Sequence, residues 1–379
     1  MKPDELRQAR AYLLRVTEPP AAAVAAFVAQ LGAIEAAKRV RQGDCPPEVR
    51  KATEARRARD FVDQDFARAT AAGARLVIPE DDEWPAWPLL TLDLAARRGV
   101  TEAVAPLALW VAGEVALGVA ADRAVAVVGA RASTPYGEHH AAEFAYGLAA
   151  RKVPVFSGAA YGIDGAAHRG ALAADGVTVA VLGCAVDVGY PAGHVALLNR
   201  IAERGGAVVS EYPPGTRPAR HRFLVRNRLI AALTEGTLVV EAGLRSGARN
   251  TAGTAGALGK VVMALPGPVS SAMSAGCHEL IRDARATLVS NVDEVLETVG
   301  RFGIAEDTSA RPKRPTDRLG PEALRTYEAL AVRADRTDTE IAAESGLPLR
   351  KVRALLPALE IDGFAVRGDT GWRRRRESA

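Results

Sequence analysis

Three glycine-softened turns carry the side chains best suited to chemistry. The first, Gly129-Ala130-Arg131-Ala132-Ser133-Thr134-Pro135, joins a tight-turning glycine, a guanidinium and two hydroxyls placed to cap a following helix. The second is Ser157-Gly158-Ala159-Ala160-Tyr161-Gly162-Ile163-Asp164, and the third Ala242-Gly243-Leu244-Arg245-Ser246-Gly247-Ala248-Arg249-Asn250-Thr251. A helix N-terminus directs free backbone N–H groups at an anion, and arginine adds a planar fork of donors that fits phosphate. The spacing is not GxGxxG, so these turns do not read as a dinucleotide site, and no cofactor is expected.

Asp164 and His168 stand four apart, close enough to share a helix face. One carboxylate and one imidazole make half a metal site with no third ligand in view, and a hydrogen-bonded helix cap is the expected role of Asp164. The densest charge is Arg220-His221-Arg222-Phe223-Leu224-Val225-Arg226-Asn227-Arg228, with Glu211 the one acid nearby in the chain. Arg222 and Arg226 repel at helical spacing unless solvent, acids or a bound polyanion offset them. Basic residues that track a backbone, with an aromatic ring for a base to stack on, match the needs of single-strand binding.

The elements that position these turns are short apolar runs: ARLVIP, LALWVAG, AVAVVGA, KVPVFSG, VTVAVLG, GAVVSE, GTLVVEA, KVVMALPG and ATLVS. Most are continuous rather than alternating, as suits strands buried on both faces. Helix-length segments such as EHHAAEFAYGLAARK separate several of them, so the fold class is α/β, a mainly parallel sheet with helices on both faces. In such sheets ligands bind beyond the carboxyl ends of the strands, where all three turns fall. Residues 1–74 read as a small helical module with a break at Leu31-Gly32, and residues 75–300 as the sheet domain. Residues 301–318 read as a polar linker. Residues 319–379 read as three helices and a hairpin, a winged-helix domain in which Arg350, Lys351 and Arg353 lie on the third helix and Arg373–Arg376 form a basic tail.

Composition narrows the class. Hydrophobic residues are 48% and charged residues 25% of the 379, the balance of a folded domain, and the net charge of +4 permits a nucleic-acid partner without demanding one. Cys45, Cys184 and Cys277 make no CxxC pair, which excludes a disulfide framework and a zinc-finger spacing and fits a reducing cytoplasm. The charged opening MKPDELRQAR has no secretory apolar core. The apolar stretch from Ala103 to Ala121 is broken by Pro106, Gly113, Glu114 and Gly118, so it reads as strand, turn and short helix rather than a membrane span.

With these residues in hand, the chain resembles the DNA-processing protein A (DprA, or Smf) family. The resemblance rests on VAVVGARASTPYG, SGAAYGIDGAAH, VLGCAVDVGYP, SEYPPGTRP, FLVRNRLIAAL, EAGLRSGARNTA, LPGP and GCHELI, in that order between about Leu76 and Ser290. It implies an extended Rossmann-like domain, a homodimer, single-stranded DNA binding, and loading of RecA recombinase in recombination or natural transformation. It puts the family's strand-contacting arginine on Arg131 and a basic residue on Arg220. On this reading Arg131, Arg220, Arg222, Arg226, Arg228 and Arg249 neutralise phosphates. Ser133, Ser157, Ser246 and the backbone at Gly129, Gly158, Gly162 and Gly247 fix position, Phe223 stacks a base, and Asn227 and Thr251 complete the site. Arg249-Asn250 stands where members often carry Leu-Ile and would extend the basic surface. Thr17-Glu18-Pro19-Pro20 replaces a Gly-Pro hairpin turn, so DNA binding is not carried over to the N-terminal module. The expected protein is not an enzyme. The alternative is a nucleotide-processing relative such as a phosphoribohydrolase, but EAGLRSGARNTA has no acid after its glycines to act as general base. The winged helix would meet either duplex DNA or a protein.

Overall fold

The computed structural model describes residues 3–300 and 315–375. Helices α1 (Pro3–Val16), α2 (Ala22–Leu31), α3 (Ala33–Gln42), α4 (Pro47–Thr53) and α5 (Val62–Ala71) come first, with Gly32 breaking α2 from α3 at φ 77°. The sheet region opens with β1 (Ala74–Val77), α6 (Ala86–Arg97), β2 (Leu109–Ala112) and α7 (Leu117–Ala121). It continues through β3 (Val125–Val128), α8 (Pro135–Ala150), β4 (Val155–Ser157), α9 (Ile163–Ala173), β5 (Thr178–Leu182), α10 (Val195–Glu203) and β6 (Ala207–Ser210). Then follow α11 (Arg220–Ala232), β7 (Gly236–Val239), α12 (Gly247–Ala257), β8 (Val261–Ala264), α13 (Ala275–Arg282), β9 (Thr287–Leu288) and α14 (Val292–Thr298). Each of the nine apolar runs became a strand.

Among the described residues these strands form one 9-stranded sheet in the order β1-β2-β6-β5-β4-β3-β7-β8-β9. Every pair from β6 to β9 is parallel, while β2 runs antiparallel to both β1 and β6. The pleat explains why the runs are apolar throughout. In β3, Val125 and Val127 face Phe144 and Leu148 of α8 and Ile163 of α9. Ala126 and Val128 point to the other face, among Leu229 and Ile230 of α11 and Ala248 and Ala252 of α12. Successive side chains thus meet a helical layer on each face, giving a Rossmann-like, doubly covered sheet.

The N-terminal helices do not stand apart. They share a core with the antiparallel edge, where Tyr12, Leu13 and Val40 pack with Leu76, Ile78 and Trp110. Residues 1–305 accordingly cluster as one compact unit, and 306–379 as another. Residues 301–314 of the expected linker lie outside the described residues, and Pro315–Arg318 make a 3-10 turn. Helices α15 (Pro321–Glu328), α16 (Asp338–Ser345) and α17 (Leu349–Ile361) and the antiparallel strands β10 (Ala365–Arg367) and β11 (Trp372–Arg374) enclose Ile341, Val352, Leu356 and Trp372. Thr337 and Glu340 cap α16 reciprocally, and Gly346 ends it in the left-handed conformation. Lys351 is paired with Glu322, and Arg353 with Asp338 at 3.0 Å. Arg376, the end of the expected basic tail, lies outside the described residues.

Candidate nucleic-acid interface

From β3 the chain moves outward through β4, β5 and β6, and from β7 it moves the opposite way through β8 and β9. Loops leaving the adjacent strands β3 and β7 therefore diverge, and a crevice opens at their carboxyl ends. It is a cleft of about 630 Å³. Its walls are Gly129 and Arg131 after β3, Ala160 and Asp164 at α9, Arg220, Phe223, Arg226 and Asn227 of α11, and Arg245, Ser246, Gly247 and Thr251 after β7. Gly158 lines a smaller neighbouring recess with Arg131, Tyr161, Tyr190 and Phe223. The expected alignment of the three turns along one rim is what the parallel strands produce.

Three cations at this cleft, Arg131, Arg220 and Arg245, are exposed and have no acidic partner among the described residues. Arg131 lies over the Phe223 ring, 5.2 Å from its centroid, and Tyr190 tilts against the same ring at 5.3 Å. A guanidinium and two partly open rings thus stand together at the mouth. Ser246 caps α12 by accepting from the Ala248 N–H at 3.1 Å, and Gly247 opens that helix with no acid in its first turn.

Several other expected contacts are taken up inside the protein. Arg228 is buried, donating to Glu211 at 2.8 Å and to the Val104 carbonyl at 3.0 Å. Arg222 donates to both oxygens of Glu18, at 2.7 and 3.0 Å, so the run has a second acid, brought from the N-terminal module. Arg249 donates to Glu279 at 2.6 Å; as the third residue of α12 it turns away towards α13 and does not extend the basic surface. Ser157 is fully buried and braces β4 to β3 through the Val127 carbonyl at 2.6 Å. Ser133 donates to Glu138 at 2.7 Å. The N-terminus of α8, expected to attract an anion, already holds one: buried Glu241 accepts from the Thr134 N–H at 2.9 Å and from its hydroxyl at 2.5 Å. Gly162, at φ 76°, packs on the backbone of Ala130 and Arg131 and shapes the turn rather than the cleft wall.

Arg226 forms part of the floor rather than a surface contact. Its Nη1 donates to the Val181 carbonyl at 2.5 Å. Burial lowers its pKa to about 10, opposed by the Asp164 carboxylate. Asp164 in turn accepts from the backbone N–H of Gly158 at 3.2 Å and of Ala160 at 3.4 Å, so it ties the second turn together. Burial raises its pKa, against the pull of Arg226. Gly158 is required here, because a Cβ would run into the Arg226 guanidinium. His168 does not join Asp164 at a metal site; its Nδ1 meets the Thr178 hydroxyl at 2.7 Å, and burial pushes its pKa down to about 3. Asn227 donates to Asn250 Oδ1 at 3.0 Å across the cleft wall.

Arg245 and Tyr190 were not among the site residues expected from sequence. The signal for Arg245 was available: it precedes the helix cap Ser246, so it must lie on the strand-end loop, whereas Arg249 lies inside the helix. Tyr190 had no such signal, since only the fold carries its loop to Phe223.

A doubly wound sheet with exposed arginines around the cleft at its switch point defines a Rossmann-like protein with a basic strand-end cleft. Residues 75–300 match the model of the family described as DNA recombination-mediator protein A. The chain is 50% identical over 376 residues to a putative DNA processing protein DprA of Mycobacterium tuberculosis, covering 99% of this chain and 96% of that one. It is 38% identical over 310 residues to protein Smf of Escherichia coli K12, covering 80% and 78%. The X-ray structure of DNA processing protein A from Streptococcus pneumoniae superposes with a TM-score of 0.60 at 29% identity, covering 78% of this chain and 98% of that one. The chain belongs to the DNA recombination-mediator protein A family. DNA processing in recombination is the class of function that membership carries.

Proposed function

We propose that the chain binds single-stranded DNA along the carboxyl edge of its sheet, performs no chemistry on it, and delivers it to RecA recombinase. The carrying observation is that Arg131, Arg220 and Arg245 border one cleft without acidic partners among the described residues, with Phe223 between them. Guanidiniums spaced around an open ring suit a flexible strand, whose phosphates and bases can reach both. A hydrolase reading would need a carboxylate free to act as base, and the acids of these turns, Asp164 and Glu241, are engaged by backbone and hydroxyl donors.

The working protein is a cytoplasmic homodimer in this proposal. The division into a helical module (1–74), a sheet domain (75–300), a linker (301–318) and a winged-helix domain (319–379) belongs to the same proposal. With Lys351 and Arg353 internally paired, a protein partner suits the last domain better than duplex DNA. Titrating the full chain with a single-stranded oligonucleotide, the matching duplex and NAD tests the reading. Saturable binding of the single strand at the lowest concentration is expected. Preference for NAD or for the duplex would overturn it.

A further inference from the structure

Helix α8 carries a side-chain group that strand binding does not use. Glu143 stands four positions after His139 and three after His140. Both spacings make neighbours on a helix surface, so the carboxylate lies beside two adjacent imidazoles. Its Oε2 is 3.9 Å from His139 Nε2 and 2.9 Å from His140 Nδ1. One ligand atom from each residue lies within 4.8 Å of the other two. Among the described residues no other three histidine, cysteine or acidic side chains converge in this way. The remaining histidines are engaged elsewhere: His168 by Thr178, His194 by the Ala159 carbonyl, His221 by Glu18 and His278 by the Gly267 carbonyl.

The group is held in place from below and from one side. Ala141, Phe144, Ala145 and Leu148 bury the inner face of α8. The Tyr136 hydroxyl donates to the Pro266 carbonyl at 2.7 Å, and the ring so anchored meets His140 edge-on, with centroids 4.4 Å apart. His139 and Glu143 are exposed and His140 is half-buried, so an ion can reach all three from solvent. A cation in the first turns of a helix works against its dipole, but buried Glu241 already supplies a negative charge at this N-terminus. We propose that His139, His140 and Glu143 bind a divalent first-row transition ion of the Zn2+ class. Two imidazoles and a carboxylate are zinc-type donors, whereas Ca2+ and Mg2+ take oxygen ligands. Bonds of about 2.0–2.2 Å set tetrahedral donors about 3.4 Å apart, a closure of about 1 Å that rotation of exposed side chains supplies. Solvent fills the fourth position. None of the three residues lines the strand-end cleft, so the site stands whatever the cleft binds.

The test uses the full chain without an affinity tag. Zn2+ would be titrated in competition with a chromophoric chelator, and Co2+ followed by its visible absorption. About one ion per chain should bind. Binding should be lost when His139→Ala and His140→Ala are combined, and should weaken at least about tenfold in Glu143→Ala. Melting temperatures of the metal-free variants should match wild type, which separates a lost ligand from a lost fold. Absence of saturable binding in the wild-type chain, or undiminished binding in either variant, would overturn the site.

Discussion

A guanidinium can serve a phosphate only if its donors are not already engaged, and the arginines here divide on that basis. Among the described residues Arg131 has no acidic partner, and it leans on Phe223. Replacing it with alanine should weaken binding to all sequences about equally and lower the salt slope by about 0.7, with thermal stability unchanged. Arg228 is the opposite case, with its side chain and that of Glu211 each 4% exposed. Removing one partner strands a buried charge, so Arg228→Ala should cost about 3–5 kcal/mol in denaturant unfolding. A fully stable Arg228→Ala with lost strand affinity would return that arginine to the binding surface.

Between elements, hydrogen bonds across strand ends set the shape of the rim. The Thr178 hydroxyl donates to the Val155 carbonyl at 2.8 Å and accepts from His168, linking α9, β4 and β5. The linkage has a sign. An imidazole in the unfolded chain titrates near 6.5, and in the fold at about 3, because burial disfavours its charged form. Below pH 6.5 the unfolded state takes up a proton that the folded state refuses. The stability present above that pH is therefore lost as pH falls from about 6.5 towards 3, by about 1.4 kcal/mol per pH unit at the steepest. Urea midpoints should drop between about pH 7.5 and about pH 5, and His168→Asn should flatten that interval. An identical slope in the variant would place the titrating group elsewhere.

At the scale of the whole molecule, the N-terminal helices and the sheet unfold together if they share a core in solution. Phe66 meets Trp110 edge-on at 5.5 Å, and Trp110 is fully buried. Deleting residues 1–73 would uncover Leu76, Ile78 and Trp110, so the truncated sheet domain should aggregate or melt at a markedly lower temperature. A truncation as stable as the full chain would show that the edge is closed by the sheet alone. Among the described residues no helix is long and apolar enough to cross a membrane. The stretch from Ala103 to Ala121 is β2, a turn and α7.

What the residues determined unaided is the frame. Continuous valine-rich runs make buried parallel strands, and the glycine turns after them must emerge at one edge, because parallel strands share a direction. Both follow from patterns a few residues long. Which arginines remain free was decided only in three dimensions. The acid that occupies Arg222 lies 204 positions away, and the one that caps α8 lies 107 positions from Thr134. Charge pairing depends on neighbours in space, and local spacing carries no record of an acid that folding delivers from another element.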